Sequence, residues 1–287
     1  MHFKEVKGIL SPKNGMNLYR GCTHGCIYCD SRSKCYQMEH DFEDIEVKSN
    51  AVFLLEESLK KKRKRVMIGT GAMSDCYIPL ENKLCNMRKC LEIIDNYSFG
   101  VTVLTKSDGV LRDIDLLKSI NEKAKSVVQM TLTTYDEKLC KIIEPNVCTT
   151  KKRFEALKIL KDNGIPTVVW FTPFLPFIND NEKNLMGILD YCEKAGVYGI
   201  ICFEIGLTLR DGNREYFYKN LDKHFPDLKE KYQRKYGNSY VLTSDNNDYL
   251  MKIFYKECKN RGIVCDNKKI FEYLYEMEEI KGQIRFF

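Results

Sequence analysis

Six short runs rich in β-branched residues, each parted from the next by an amphipathic helical stretch, constrain this chain more than any other feature. The runs fall at 17–20, 66–69, 100–105, 127–133, 167–172 and 199–205. Helical periodicity fills the gaps near 50–63, 82–97, 110–123, 149–163 and 181–195. Asn163-Gly164 closes one helical stretch and Gly196 follows another, as helix C-termini prefer. Strands joined by helical crossovers pair in parallel. The pattern therefore predicts an α/β fold, a (β/α)6 partial TIM barrel over 1–206. Loops after the strand C-termini, near Gly21, Gly71, Lys106, Thr134, Pro173 and Gly206, then carry the chemistry. The stretch 207–287 is helical in pattern and rich in Tyr and Phe. It reads as a helical C-terminal extension packed on the core.

Composition narrows the class. With 44% hydrophobic and 30% charged residues the 287-residue chain suits a soluble globular protein. No apolar run approaches the roughly 18 residues of a membrane span, and the start MHFKEVKGIL lacks the apolar core of a secretory signal. A cytoplasmic protein with no membrane association is expected. Thirteen cysteines in a reducing compartment argue against a disulfide framework, and most sit singly in apolar patterns as small buried hydrophobes. The net charge of +6 permits an anionic partner without demanding one. The basic run at 60–65, KKKRKR, reads as a solvated helix end rather than a nucleic-acid contact.

The chemistry concentrates in GCTHGCIYCD, which sets Cys22, Cys26 and Cys29 at C-x3-C-x2-C spacing. Three thiolates on one short loop bind three irons of a cubane cluster and leave the fourth iron open to a small molecule. Gly21 and Gly25 give the loop freedom to wrap a bulky group. A zinc site is the competing reading, with Cys35 or His24 as fourth ligand. No second C-x2-C follows at zinc-ribbon spacing, which favours the cluster. Cys76, the pair Cys85 and Cys90, and the pair Cys258 and Cys265 form no compact four-cysteine run for a second cluster. Trp170, the single tryptophan, reads as a packing residue.

The cysteine spacing, with Tyr28 just before the last thiol, resembles the signature of the radical S-adenosylmethionine superfamily over roughly residues 10–206. The resemblance implies a [4Fe–4S] cluster on Cys22, Cys26 and Cys29. Its fourth iron is chelated by S-adenosylmethionine, with Tyr28 against the adenine. It implies the partial barrel as well, and an electron donor such as flavodoxin or ferredoxin. Reductive cleavage of S-adenosylmethionine would yield a 5′-deoxyadenosyl radical that abstracts hydrogen from a substrate. The strand-end sequence Gly69-Thr70-Gly71-Ala72-Met73-Ser74-Asp75 is the segment that receives the cofactor's amino group in that family. Together with Tyr77, Pro79 and Glu81 it resembles the spore photoproduct lyase-like branch, which makes a nucleic-acid lesion the analogy for substrate.

Other groups have a candidate role by their chemistry. Lys106 offers a cation to the cofactor carboxylate or a hydrogen bond to ribose. Ser74 and either Thr131 or Thr133 offer hydroxyls to ribose. Arg153 either pairs with Glu144 or reaches the carboxylate. The branch motif reads Ala-Cys-Thr-Ser-Asp where this chain has Gly71-Ala72-Met73-Ser74-Asp75, so the position of the hydrogen-donating thiol holds Ala72. A nucleic-acid-binding module with a structural metal is the rival class.

Overall fold

A computed structural model describes residues 1–277. The chain starts with β1 (His2–Lys4), β2 (Gly15–Met16), β3 (Tyr19–Arg20) and β4 (Glu46–Lys48), then enters α1 (Ala51–Lys60) and β5 (Met67–Thr70). Next come α2 (Glu81–Leu84), α3 (Asn86–Asn96), β6 (Gly100–Thr105), α4 (Ile114–Lys123) and β7 (Ser126–Thr131). The core ends with α5 (Glu137–Ile143), α6 (Thr150–Asp162), β8 (Thr167–Trp170), α7 (Glu182–Ala195) and β9 (Gly199–Ile201). The order β2-β5-β6-β7-β8-β9 forms one six-stranded parallel sheet. This is the α/β partial-barrel architecture that the alternation predicts.

The crossover helices form where the sequence places an apolar stripe. In α3, Met87, Cys90, Leu91 and Ile94 are buried at helical spacing. The start of α7 is capped by Asn181, whose side chain accepts the Asn184 N–H at 3.0 Å, and its end by Gly196 in the left-handed region.

Two expectations need correction. The run 17–20 is not the first barrel strand. That strand is the two-residue β2, and Tyr19–Arg20 leaves the barrel to pair antiparallel with β4 in a small sheet ordered β1-β4-β3. The run is apolar enough to serve either sheet, because Leu18 and Tyr19 are both buried. Alternation alone does not name a strand's partner. Nor is the segment after 206 purely helical. It holds α8 (Asn213–His224), α9 (Leu228–Tyr236), α10 (Asn247–Asn260) and α11 (Asn267–Tyr275), but also β10 (Gly206–Thr208) paired antiparallel with β11 (Val241–Thr243). The expected extension continues to 287, and its residues 278–287 lie outside the described ones.

The position of α11 matters most for the site. Ile270 and Leu274 pack with Val127 and Val168, inward residues near the starts of β7 and β8, and with Ile201 at the end of β9. The helix thus fills one end of the barrel interior. Asp266 fixes its start by accepting the Lys268 N–H at 2.9 Å. Among the described residues no helix is long and apolar enough to cross a membrane.

Candidate active site

The interior above α11 is a cavity of about 1140 Å³. Cys22, Cys26 and Cys29 all line it, from a loop clamped on two sides. On one side the Cys22 N–H donates to the Phe42 carbonyl at 3.1 Å. Gly21 lies so close to that carbonyl (φ +89°) that an added Cβ would stand 2.5 Å from its oxygen. On the other side the Ile27 N–H donates to Ile143 at 3.0 Å and the Asn146 N–H to the His24 carbonyl at 3.1 Å. Burial pushes the Cys22 thiol up to about 12 and the Cys26 thiol well above its usual value. The positive charge of a bound metal would offset that burial and favour the Cys22 and Cys26 thiolates.

The three sulfurs do not converge on a point. Among the described residues, the group of three metal donors with ligand atoms within 4.8 Å of one another lies elsewhere, at His2, His40 and Asp44. Thiolates around one zinc, at about 2.3 Å each, would stand closer together than that. No fourth cysteine lines the cavity. Cys35 is exposed beside Arg210, and Cys76 is buried with its sulfur toward the Leu104 carbonyl.

Tyr28 presents its ring to the cavity, and its hydroxyl is anchored behind by Thr133 Oγ1 (3.0 Å) and Glu144. Glu144 is itself held by Arg153. That guanidinium also donates to the Thr131 carbonyl at 2.7 Å and the Cys148 carbonyl at 3.0 Å. Arg153 and Glu144 are both fully buried. Burial alone would raise the Glu144 carboxyl; Arg153 and Lys106 outweigh it and hold it at about 2. Every guanidinium nitrogen of Arg153 is engaged behind the wall, so the pairing with Glu144 is the alternative that the geometry realises. Of the two threonines, Thr131 lines the cavity and Thr133 stands behind Tyr28.

Gly69, Thr70 and Gly71 line the cavity at the end of β5. An added Cβ on Gly71 (φ +91°) would stand 1.8 Å from the Leu104 oxygen, so only glycine fits there. The Thr70 hydroxyl is buried with no partner beyond the Cys76 thiol. Ser74 turns the other way and donates to the Gly21 carbonyl, tying the β5 loop to the cysteine loop. Lys106 is half-buried, with its ammonium 5.8 Å from the centre of the Tyr28 ring. Burial pulls its pKa down, but Cys26, Glu144, Cys29 and Asp75 more than reverse this. Its ammonium makes no hydrogen bond or ion pair among the described residues.

Three features escaped the sequence reading. Asp75 accepts from the Lys106 N–H (2.7 Å), the Thr105 hydroxyl (2.8 Å) and the Tyr77 N–H (2.8 Å), and so locks two strand-end loops together. His24, weighed only as a zinc ligand, is buried 3.5 Å from Asp75, and burial lowers its pKa, keeping the ring neutral. The third is an aromatic wall. Trp170 lines the cavity with Phe203, Phe271 and Tyr275, its ring 6.0 Å from Phe271 and 6.3 Å from Phe203. Trp170 packs against the buried cluster of Val127, Val168, Ile201, Ile270 and Leu274, as its reading as a packing residue expects, and lines the cavity as well. The signal was in the strand period: Val127, Gln129 and Thr131 point inward on β7, as Val168 and Trp170 do on β8.

The profile of the radical SAM superfamily matches residues 16–189. An uncharacterised protein of Methanocaldococcus jannaschii is 34% identical over 169 residues, 58% of this chain and 62% of the relative. The match thus spans less than two thirds of that relative. An uncharacterised protein of Mycobacterium tuberculosis is 27% identical over 243 residues, 82% of this chain and 70% of the relative. A solved structure of a spore photoproduct lyase mutant superposes with a TM-score of 0.65 at 15% identity, covering 91% of this chain and 76% of that one. The chain belongs to the radical SAM superfamily and is an enzyme of that class. Its fold is that of the lyase.

Proposed function

We propose that Cys22, Cys26 and Cys29 hold a [4Fe–4S] cluster and that S-adenosylmethionine lies along Gly69–Gly71, Tyr28 and Lys106. The carrying observation is three thiols facing one cavity, spaced too widely for a single ion and with no fourth thiol lining it among the described residues. The unpartnered Thr70 hydroxyl, the glycine-only backbone at Gly71 and the unpaired Lys106 ammonium fit a polar, anionic cofactor. When bound and reduced, cluster and cofactor together supply a 5′-deoxyadenosyl radical able to abstract hydrogen. The chain's part is to position the reactants. Tyr28 offers a ring face, Lys106 a cation for the carboxylate, and Thr131 a strand-end hydroxyl for ribose. Ser74, Thr133 and Arg153 brace the loops that carry these groups.

The substrate would then lie against Trp170, Phe203, Phe271 and Tyr275, a wall suited to stacking a flat unsaturated ring such as a nucleobase. Thirteen unpaired cysteines suit a reducing cytoplasm, where flavodoxin or ferredoxin would supply the electron. Anaerobic reconstitution followed by reduction with dithionite in S-adenosylmethionine tests the reading. Release of 5′-deoxyadenosine by the wild type, and none by Cys26→Ala, is expected. Equal release by both proteins would overturn it.

A further inference from the structure

The small sheet beside the barrel carries donors that this chemistry does not use. His2 lies on β1, Glu46 on β4, and His40 and Asp44 on the loop leading into β4. One ligand atom each from His2, His40 and Asp44 fall within 4.8 Å of one another. Acceptors surround both imidazoles. His2 Nδ1 is 2.9 Å from Asp44 Oδ2, and its Nε2 is 3.9 Å from Glu46 Oε2. His40 Nδ1 is 3.0 Å from the Asp41 carbonyl, and its Nε2 is 4.0 Å from the same Glu46 oxygen. A backbone carbonyl only accepts, so His40 donates through Nδ1–H and its neutral ring leaves Nε2 as a bare lone pair; His2 has a carboxylate beside each nitrogen, and with its proton on Nε2 toward Glu46 its Nδ1 lone pair faces Asp44. His40 Nε2 is buried without a hydrogen-bond partner, and Glu46 is only 3% exposed. Two imidazole lone pairs and the Asp44 carboxylate oxygen facing one another repel unless a cation sits among them. A ring proton cannot bridge 3.9 Å as a hydrogen bond. The cations already near are Lys4, 3.3 Å from Glu46, and the Met1 amine, 2.8 Å from Asp44. Both are substantially exposed and free to swing away.

We propose that His2, His40 and Asp44, with Glu46 as the buried counter-charge, bind one divalent transition-metal ion of the zinc class. Imidazole and carboxylate donors suit such an ion, and the Nδ1–H contact of His40 with a backbone carbonyl is the outer bond that metal-bound histidines make. The ion has a structural task here. The His40–Asp44 loop carries Phe42, whose carbonyl takes the Cys22 N–H and abuts Gly21. Fixing that loop fixes the backbone of the first cysteine.

Metal analysis after zinc loading and dialysis tests this, on the reconstituted wild-type chain and on a chain with Cys22, Cys26 and Cys29 all changed to Ala. Both should retain about one zinc. His2→Gln and His40→Gln in the cysteine-free background should retain none, with circular dichroism showing that each is folded. Cobalt loaded in place of zinc should give ligand-field bands without thiolate charge transfer. In the wild type, His40→Gln should also speed iron loss. A cysteine-free chain that keeps no zinc would overturn the proposal and leave an imidazolium network held by Lys4 and the carboxylates. Zinc retention unchanged by both histidine substitutions would overturn it equally.

Discussion

Lys106 lies over the Tyr28 ring and Glu144 holds its hydroxyl, and each charge yields a measurable consequence. Removing the Lys106 ammonium should cost one charged hydrogen bond to S-adenosylmethionine. At roughly 1.5–3 kcal/mol, that weakens cofactor binding by about 10–150-fold, measurable by equilibrium dialysis of Lys106→Ala. Unchanged affinity would remove Lys106 from the site. Glu144→Gln should instead act on stability, because it strands the fully buried Arg153 charge, at a cost of about 3–5 kcal/mol. The carboxyl is held at about 2 against 4.5 unperturbed, so its folded-state pKa is depressed. Its contribution is therefore complete above pH 4.5 and fades as the pH falls toward 2, where it protonates. Thermal melts of wild type and Glu144→Gln should converge across that window.

Ala72 yields a third outcome. A methyl group donates no hydrogen atom, and the nearby Cys76 sulfur points to the Leu104 carbonyl rather than into the cavity. The reduced protein, offered a dinucleotide spore photoproduct, should not return thymidylyl-thymidine over multiple turnovers. Efficient repair would refute this, and loss of that repair in Cys76→Ala would locate the donor.

Among the elements, α11 joins stability and specificity in nine residues. Its two faces should separate experimentally. Leu274 is fully buried against Val127, Val168 and Ile201, so Leu274→Ala should cost about 2–5 kcal/mol in chemical denaturation. Tyr275 is 49% exposed along the cavity, so Tyr275→Ala should leave the denaturation midpoint nearly unchanged. Helical periodicity revealed that this segment is a helix, but not that its apolar face enters the barrel. The strands record only half of that contact, in the inward residues Val127, Val168 and Ile201. The same limit explains β3, whose apolar residues suit two sheets equally, and β10, whose antiparallel partner β11 lies more than thirty residues away. Local pattern specifies an element and its buried face; the partner is a long-range choice.

Across the whole molecule, the alternation of strands and helices sufficed for the parallel sheet. The three cysteines were legible because they sit together on one short loop. The supporting contacts were legible only in part: the Arg153–Glu144 pair was among the alternatives the sequence offered, but most contacts join distant segments. Asp75 reaches Lys106, Thr105 and Tyr77, while Tyr28 meets Thr133 and Glu144 more than a hundred positions away. One cubane per chain predicts about four iron and four sulfide after reconstitution, lost in Cys22→Ala and retained in Cys35→Ala. Equal loss in both would contradict an open fourth iron.

The placement of α11 also has a consequence in time. A ribosome extends a chain by about 5–20 residues per second, so α11 follows the last barrel strand by roughly 4–15 s. Throughout that interval Val127, Val168 and Ile201 lack the cover of α11, and the end of the partial barrel that it fills stays open to solvent. Chaperone capture, or premature loading of metal on the cysteine loop, would meet the chain in that state. The last helix described is therefore also the step that closes that end of the cavity.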